Sequence, residues 1–591
     1  MEFAKKNIFT ICVLILVSSA YFFVFNLVPK NVFWSPDGGG KYVQMQCLEW
    51  NNGVTSKMIY PGRKLDKDYR FYPRKLNKDH IYYPVSNQLP QPVLNGKIEF
   101  GWPVWFPLFS KWLENNFGLS ALILFPLLCG IALLIVVAFI AHDLYSSAVP
   151  FAIVAIGLCT PIFFYSLHFW EHVPATLSGI FGFYLLTISG HRLKALKYLF
   201  TIFFLFISVI LRIEMAFFVL SVFLSYTFSS FYEKSFGWSI TKMRKGIIFS
   251  ILLILLCVFS FQIYSNFTAK HVTTEIGKFI NTCRVLLFDY TKWKMLPGIT
   301  SKIWVNSSNL DGPGIPGWLR WFGLICIITG AFSIFSKGNL KLYVLIPCGI
   351  GLLLVSMQMY YTRKSYDCLH SLFGISPWLI FWPLFYSDST KKSFKEMFLW
   401  TTCITYLIIG TFAIFVNSFF FVRTHTGGME WGTRFLLTVF PLLGICSIIG
   451  IKKYIERKPG KLNKILIIIF VLMMILGTAF QIQGLKQMIK TLNTYADIQH
   501  KMSQSKVPIV TSIYWLGASL GKMFIKKEMY TLDSVDSLDL WLDIASGKIK
   551  NFLYISTAPL LDNKAGFQKR IKILNINKYR GIFFTEYEII K

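Results

Sequence analysis

The chain has 591 residues, 54% hydrophobic and 15% charged, with a formal net charge of +31 from 60 Lys+Arg against 29 Asp+Glu. A water-soluble domain carries about 25% charged residues. With 17% aromatic residues as well, the apolar load exceeds what a soluble core hides, so the expected solvent is a bilayer. The basic balance points away from nucleic acid, because Lys and Arg sit in short clusters between apolar runs, as in the cytoplasmic loops of membrane proteins.

Residues 1–6 are short and basic, and 8–28 are almost wholly apolar. The run continues past Ser18-Ser19-Ala20 through Tyr21-Phe22-Phe23-Val24, which favours an uncleaved first span over a signal peptide. Apolar runs broken by charge then predict about thirteen transmembrane helices. They lie near 8–28, 119–141, 148–166, 173–189, 198–211, 215–231, 247–265, 318–336, 342–360, 373–387, 397–420, 436–451 and 465–483. The sixth follows the fifth closely, so Arg212-Ile213-Glu214 is expected in a broken or re-entrant helix. Lys391-Lys392 and Lys452-Lys453 fall on the side that holds the N-terminus, which places that terminus in the cytoplasm. An odd count puts the C-terminal segment outside.

Two outer segments are large. The first, about 29–118, is polar and Pro-rich. It ends with Val104, Trp105, Leu108, Phe109, Trp112 and Leu113 at helical spacing, either as an interfacial helix or as a core helix of the loop. The second, 485–591, reads as a small α/β extracytoplasmic domain, with strands at 507–512 and 551–556, further strands near 572–577 and 582–590, and a helix at 534–546. Residues 1–484 form the transmembrane module. Most cysteines lie in apolar runs; Cys47, Cys283 and Cys368 do not, and one disulfide among them is conceivable.

Ionisable residues at a membrane face are costly and mark function by default. Five clusters fall on the outer side. Asp37-Gly38-Gly39-Gly40-Lys41 follows the first span; Asp37 reads as a general base or as part of a solvated turn, with the glycines letting the backbone bend beside a substrate. His168-Phe169-Trp170-Glu171-His172 lies between the third and fourth spans, without the spacing of a metal motif. Arg212-Ile213-Glu214 offers either a local ion pair or a phosphate-binding guanidinium. Tyr360-Tyr361-Thr362-Arg363-Lys364, followed by His370, suits a headgroup anchor or a plain interfacial belt. Gly427-Gly428-Met429-Glu430-Trp431-Gly432-Thr433-Arg434-Phe435 packs a carboxylate, an indole and a guanidinium into one short loop.

The order of these motifs resembles the GT-C superfamily of membrane glycosyltransferases, which use polyprenyl-phosphate sugars, in particular the protein O-mannosyltransferase and aminoarabinose transferase families. The resemblance covers roughly 8–480 and leaves out the C-terminal segment. It implies a GT-C-like helical module. Asp37 would be the catalytic base and Glu171 the second-loop acidic residue. Arg212 and Arg434 would meet the donor phosphate, with Lys41, His172, Glu214, Glu430 and Trp431 around substrate. Many relatives carry paired acidic residues in the first loop. Here glycines follow Asp37, which argues against a metal held there, and no cofactor is expected.

The reaction so implied is attack of an acceptor hydroxyl on the anomeric carbon of a polyprenyl-phosphate sugar. Asp37 takes the proton, cations receive the leaving phosphate, and the anomeric centre inverts. The expected partners are that donor, a glycan, lipid or protein acceptor, and membrane lipids; the expected location is a bacterial cytoplasmic membrane. A lipid-linked polysaccharide polymerase or ligase, or a transporter or flippase of lipid-linked sugars, are the alternatives.

Overall fold

The computed structural model describes residues 2–50, 54–56, 59–67, 70–72, 103–188, 194–234, 345–346, 349–353, 372–386, 393–420, 434–457, 461–532, 535–558 and 569–590. The chain is mostly helical and divides into two compact units. One holds described residues within 1–25, 124–265 and 270–487; the other holds those within 26–123 and 488–591.

The helical unit starts with α1 (Glu2–Leu27), followed after the second unit's first segment by α4 (Ala121–Tyr145), α5 (Val149–Leu158), α6 (Pro161–Tyr165), α7 (His172–Thr187), α8 (Lys194–Leu211) and α9 (Met215–Lys234). Later helices are α10 (Phe394–Phe420), α11 (Val439–Arg457) and α12 (Lys461–Gln504). Three stretches among the described residues, Ile8–Leu27, Ala121–Leu158 and Leu462–Gln504, are long and apolar enough to cross a membrane. Their exposed faces carry Ile15, Leu16, Phe23, Phe139, Phe151, Ile468 and Ile475. Such faces are stable only against lipid or another apolar surface.

Proline and glycine shape the packing inside this unit. The expected single span at 148–166 is broken, because Pro161 lacks an amide hydrogen and clashes with a continuing helix. Thr160 caps the new start by accepting from the Ile162 amide at 3.3 Å. The carbonyl left over at Cys159 accepts from Ser376 Oγ at 2.9 Å and Trp378 Nε1 at 3.2 Å. Residues 373–387 also depart from expectation. Pro377 and Pro383 confine the segment Pro377–Tyr386 to a 3-10 helix of 10 residues, about 20 Å long and short of the bilayer core. By contrast α8, with 18 residues, reaches about 27 Å. Helix α12 has 44 residues, about 66 Å, and runs unbroken across residue 485. The expected spans near 247–265 and 318–336, and most of 342–360, lie outside the described residues.

The second unit joins the segment after α1 to the C-terminal segment. It contains α2 (Pro36–Cys47), the hairpin β1 (Leu48–Trp50) and β2 (Val54–Ser56), and α3 (Trp105–Phe117). From the C-terminal segment it takes β3 (Ile509–Thr511), α13 (Tyr514–Ser519), α14 (Gly521–Lys526), β4 (Met529–Thr531), α15 (Val535–Ala545), β5 (Asn551–Ser556), β6 (Ile571–Tyr579) and β7 (Ile582–Ile589). The sheet order is β4-β3-β5-β7-β6, with β3 parallel to both neighbours and β7 antiparallel to β5 and β6. The β6–β7 turn places Arg580 at φ 48 and Gly581 at φ 81, the two positive values a tight two-residue hairpin requires. Leu538, Trp541, Leu542 and Ala545 form the buried stripe of α15, at helical spacing. Their core is shared with Val43, Tyr60, Phe71, Tyr72 and Val104 of the first segment. That shared core makes the two segments one folding unit.

Candidate functional site

In the helical unit, residues 161–176 are buried throughout. Glu171 stands just before α7 but makes no capping bond with its side chain. The carboxylate instead turns to the break between α8 and α9. There the Arg212 amide still closes on Ser208 O at 3.1 Å, and the Met215 amide on Arg212 O at 3.0 Å. That tight turn delivers a guanidinium between two carboxylates. Arg212 Nη1 donates to Glu171 Oε1 at 3.0 Å, and Nη2 donates to Glu214 Oε1 at 3.0 Å. His172 also receives Arg212 Nη1, with its Nε2 at 2.7 Å. The expectation of an Arg212–Glu214 pair is met, but Glu171 and His172 share the same guanidinium. Arg212 is therefore neutralised by protein carboxylates.

Arg434 is half-buried in a short 3-10 turn, Arg434–Leu436. Its guanidinium lies 5.6 Å from the Trp170 ring and 5.0 Å from the Phe435 ring. Arg212 faces the same Phe435 ring at 5.7 Å. Phe435 is seated by Tyr406 of α10, whose hydroxyl donates to the Phe435 carbonyl at 3.2 Å. Trp170 stacks in turn on Tyr165 at 5.6 Å and lies against His172 at 4.9 Å. Aromatic faces attract guanidinium without neutralising it. Sequence reasoning assigned no part to Tyr165, Trp170, Tyr406 or Phe435. The aromatic density of the motif around Glu171 was the available signal.

His168 lies 4.4 Å from Phe164, and burial pushes its imidazole down to about 3. It stays neutral at physiological pH and packs as an aromatic ring. Among the described residues no group of three or more His, Cys, Asp or Glu is placed to hold a metal ion.

In the second unit, Asp37 is half-buried in the first turn of α2. Ser35 caps this helix, its Oγ accepting from the Gly38 amide at 3.4 Å. The glycines Gly38-Gly39-Gly40 were expected as a bending loop. They are instead helical and buried, and the Gly39 carbonyl lies close to the start of α14 at Gly521. Lys41, four residues after Asp37 on the same helix face, is buried. The C-terminal end of α2 is clamped by α3. Tyr42 and Gln46 donate to the Glu114 carboxylate at 3.2 and 2.5 Å. Lys111 Nζ donates to Gln46 O at 3.2 Å and also to Leu48 O, the usual use of a cation at a helix end. Cys47 is buried. Glu430 and Trp431 lie outside the described residues, as do Tyr360, Arg363, Cys283 and Cys368.

No family model matches the chain, and no curated protein sequence matches it significantly. Solved structures are similar to it over most of its length. One is ArnT from Cupriavidus metallidurans bound to undecaprenyl phosphate, at TM-score 0.47 and 10% identity over 97% of each chain. Another is the archaeal oligosaccharyltransferase AglB from Archaeoglobus fulgidus, in complex with an inhibitory peptide and a dolichol-phosphate. It matches at TM-score 0.43 and 11% identity over 93% of this chain and 69% of that chain. The likeness assigns neither a residue role nor a substrate.

Proposed function

We propose that the chain is a membrane glycosyltransferase that moves a sugar from a polyprenyl-phosphate donor to an acceptor hydroxyl at the outer membrane face. The observation that carries this reading is the buried Glu171–Arg212 pair with half-buried Glu214 on the same guanidinium, and Arg434 nearby on the Trp170 and Phe435 rings. Buried ion pairs are poor stabilisers compared with apolar packing, and ionisable groups in a membrane chain mark a working site. Two carboxylates already match the charge of Arg212. Arg434 lies on the faces of Trp170 and Phe435, in the turn that follows the glycine-rich loop.

In this reading the two arginines divide the labour. Arg434 receives the phosphate as the glycosidic bond breaks, where a fixed cation stabilises the developing charge. Arg212 holds Glu171, His172 and Glu214 in one arrangement through its planar fork of donors. Asp37 is the proposed base, taking the proton of the acceptor hydroxyl as the hydroxyl oxygen bonds to the anomeric carbon. The leaving group is the lipid phosphate. A single displacement inverts the anomeric centre. Glu430 and Trp431 remain proposed substrate contacts on sequence grounds.

The test is a transfer assay in membranes that contain the protein, supplied with radiolabelled polyprenyl-phosphate sugars, with wild type compared against Asp37→Asn and Arg434→Gln. Loss of turnover by about two orders of magnitude in each is the expected result. Full turnover in Asp37→Asn removes Asp37 from the mechanism, and full turnover in Arg434→Gln removes the phosphate role.

A further inference from the structure

We infer that Gly521, in the C-terminal segment, is a positioning residue that sets the place of Asp37. This rests on the reading of Asp37 as the base and adds a role for a segment that carries no chemistry of its own.

Helix α2 is weak by itself. It has 12 residues and opens with Pro36, Asp37 and then three glycines. Glycine lowers helix stability by about 1 kcal/mol per residue relative to alanine, and so short a helix is marginal alone. Its geometry must come from what it touches. At the C-terminal end the support is α3, through Lys111 and Glu114. At the end that carries Asp37 the support is the C-terminal segment. The Phe33 amide donates to the Ser519 carbonyl at 3.3 Å. A Cβ at Gly521 would stand 2.8 Å from Gly39 O and 3.2 Å from Tyr42 Cδ1.

The nearer of those contacts decides the matter. Gly39 O is a backbone atom two residues from Asp37, so it cannot rotate away as a side-chain end would. One methyl group at position 521 must move either the first turn of α2 or the start of α14. Gly521 thus presents a bare surface to the Gly39 carbonyl. Their close approach fixes the backbone from which Asp37 projects. A displacement of about 1 Å at a catalytic group costs on the order of a hundredfold in rate, and a few tenths of that distance costs correspondingly less.

The experiment compares wild type, Gly521→Ala, Asp37→Asn and the double variant in the same full-length chain, assayed with a radiolabelled polyprenyl-phosphate sugar. Hydrogen exchange of residues 35–47 and of 551–556 is read in parallel. The expected result is a fall in kcat of about tenfold in Gly521→Ala with donor KM within twofold. Exchange rises at 35–47 and not at 551–556, and Gly521→Ala has no further effect when Asp37 is already Asn. Wild-type kcat in Gly521→Ala, while Asp37→Asn is impaired, overturns the inference and leaves the base in place. A further loss in the double variant also overturns it, since Gly521 then acts by another route. Full turnover in Asp37→Asn removes the base and the inference together. Should Gly521→Ala fail to fold, Phe33→Pro compared with Phe33→Leu removes only the amide donor to Ser519 against a shared loss of the ring. A lower kcat in the proline variant is expected, and equal kcat in the two overturns the inference.

Discussion

Glu171 and Arg212 meet at 3.0 Å although 41 residues separate them, and the side chains of both are buried. The contact joins the start of α7 to the break between α8 and α9. Removing one partner of a buried pair leaves an uncompensated charge, which costs about 3–5 kcal/mol. Arg212→Met should therefore lower the unfolding midpoint in detergent sharply. Adding Glu171→Leu should return part of the loss, because the orphaned carboxylate goes with it. An additive double variant would mean that the two groups do not interact.

Arg434 differs from Arg212 in being held by ring faces. Lysine keeps the charge but loses the planar stacking and the forked donors. Arg434→Lys should keep the fold and lower kcat by about tenfold or more, while Arg212→Lys should chiefly lower stability. Steady-state kinetics beside melting curves separates the two outcomes. The reverse pattern would exchange the roles of the two arginines.

His168 makes stability depend on pH. Burial holds its imidazole at about 3, against an ordinary value of about 6.5. Between those values the unfolded chain binds a proton that the folded chain does not. Stability from this group is present above about 6.5 and falls as the pH drops towards 3, by up to about 1.4 kcal/mol per pH unit. His168→Phe keeps the ring and removes the titration. Its melting temperature should fall less than that of wild type between pH 7.5 and 5.5. An unchanged slope would contradict the account of His168.

Asp66 organises the first segment of the second unit. Its carboxylate accepts from the Tyr60 hydroxyl at 2.9 Å and from the Arg70 and Phe71 amides at 2.8 and 2.9 Å. Burial, with Asp66 alongside, pushes the Tyr60 phenol well above its ordinary value. Asp66→Ala leaves these donors unmatched and should cost about 3 kcal/mol or more. Protease susceptibility of residues 59–72 reads the effect, and a wild-type cleavage pattern would contradict it.

Helix α3 turns Phe106 and Leu113 inward and leaves Phe109, Trp112 and Phe117 exposed. Trp112 is 53% exposed, and the helix ends just before the apolar stretch Ala121–Leu158. Such a face next to a span-length apolar stretch predicts a place at the membrane interface. A nitroxide at position 112 should be more accessible to oxygen than to a water-soluble nickel complex. The opposite ratio would place this face in water.

Much of the helical architecture was legible because apolar runs of span length survive any change of packing. Helices α1, α4, α10 and α11 coincide with such runs to within a few residues. Where proline intervenes the runs mislead, since hydropathy reads composition and not the missing amide. Pro161 splits one run, and Pro377 with Pro383 tightens another. In the C-terminal segment, alternation located the 551–556 strand. It did not reveal that Trp541 of α15 shares one core with Tyr60 and Tyr72 of a segment more than 450 residues away. The charged residues of the site could be named from sequence because charge in an apolar chain is conspicuous. Trp170 and Phe435 stood in the same motifs, but Tyr165 and Tyr406 could not be singled out in a chain with 28 Tyr and 57 Phe.

The most direct measurement of the central claim follows both products. The purified full-length chain is reconstituted in liposomes with a polyprenyl-phosphate sugar and a panel of hydroxyl acceptors. The account predicts free polyprenyl phosphate released one-for-one with sugar transferred, and an inverted anomeric centre in the product. Donor recovered intact, whether or not it has crossed the bilayer, would contradict it.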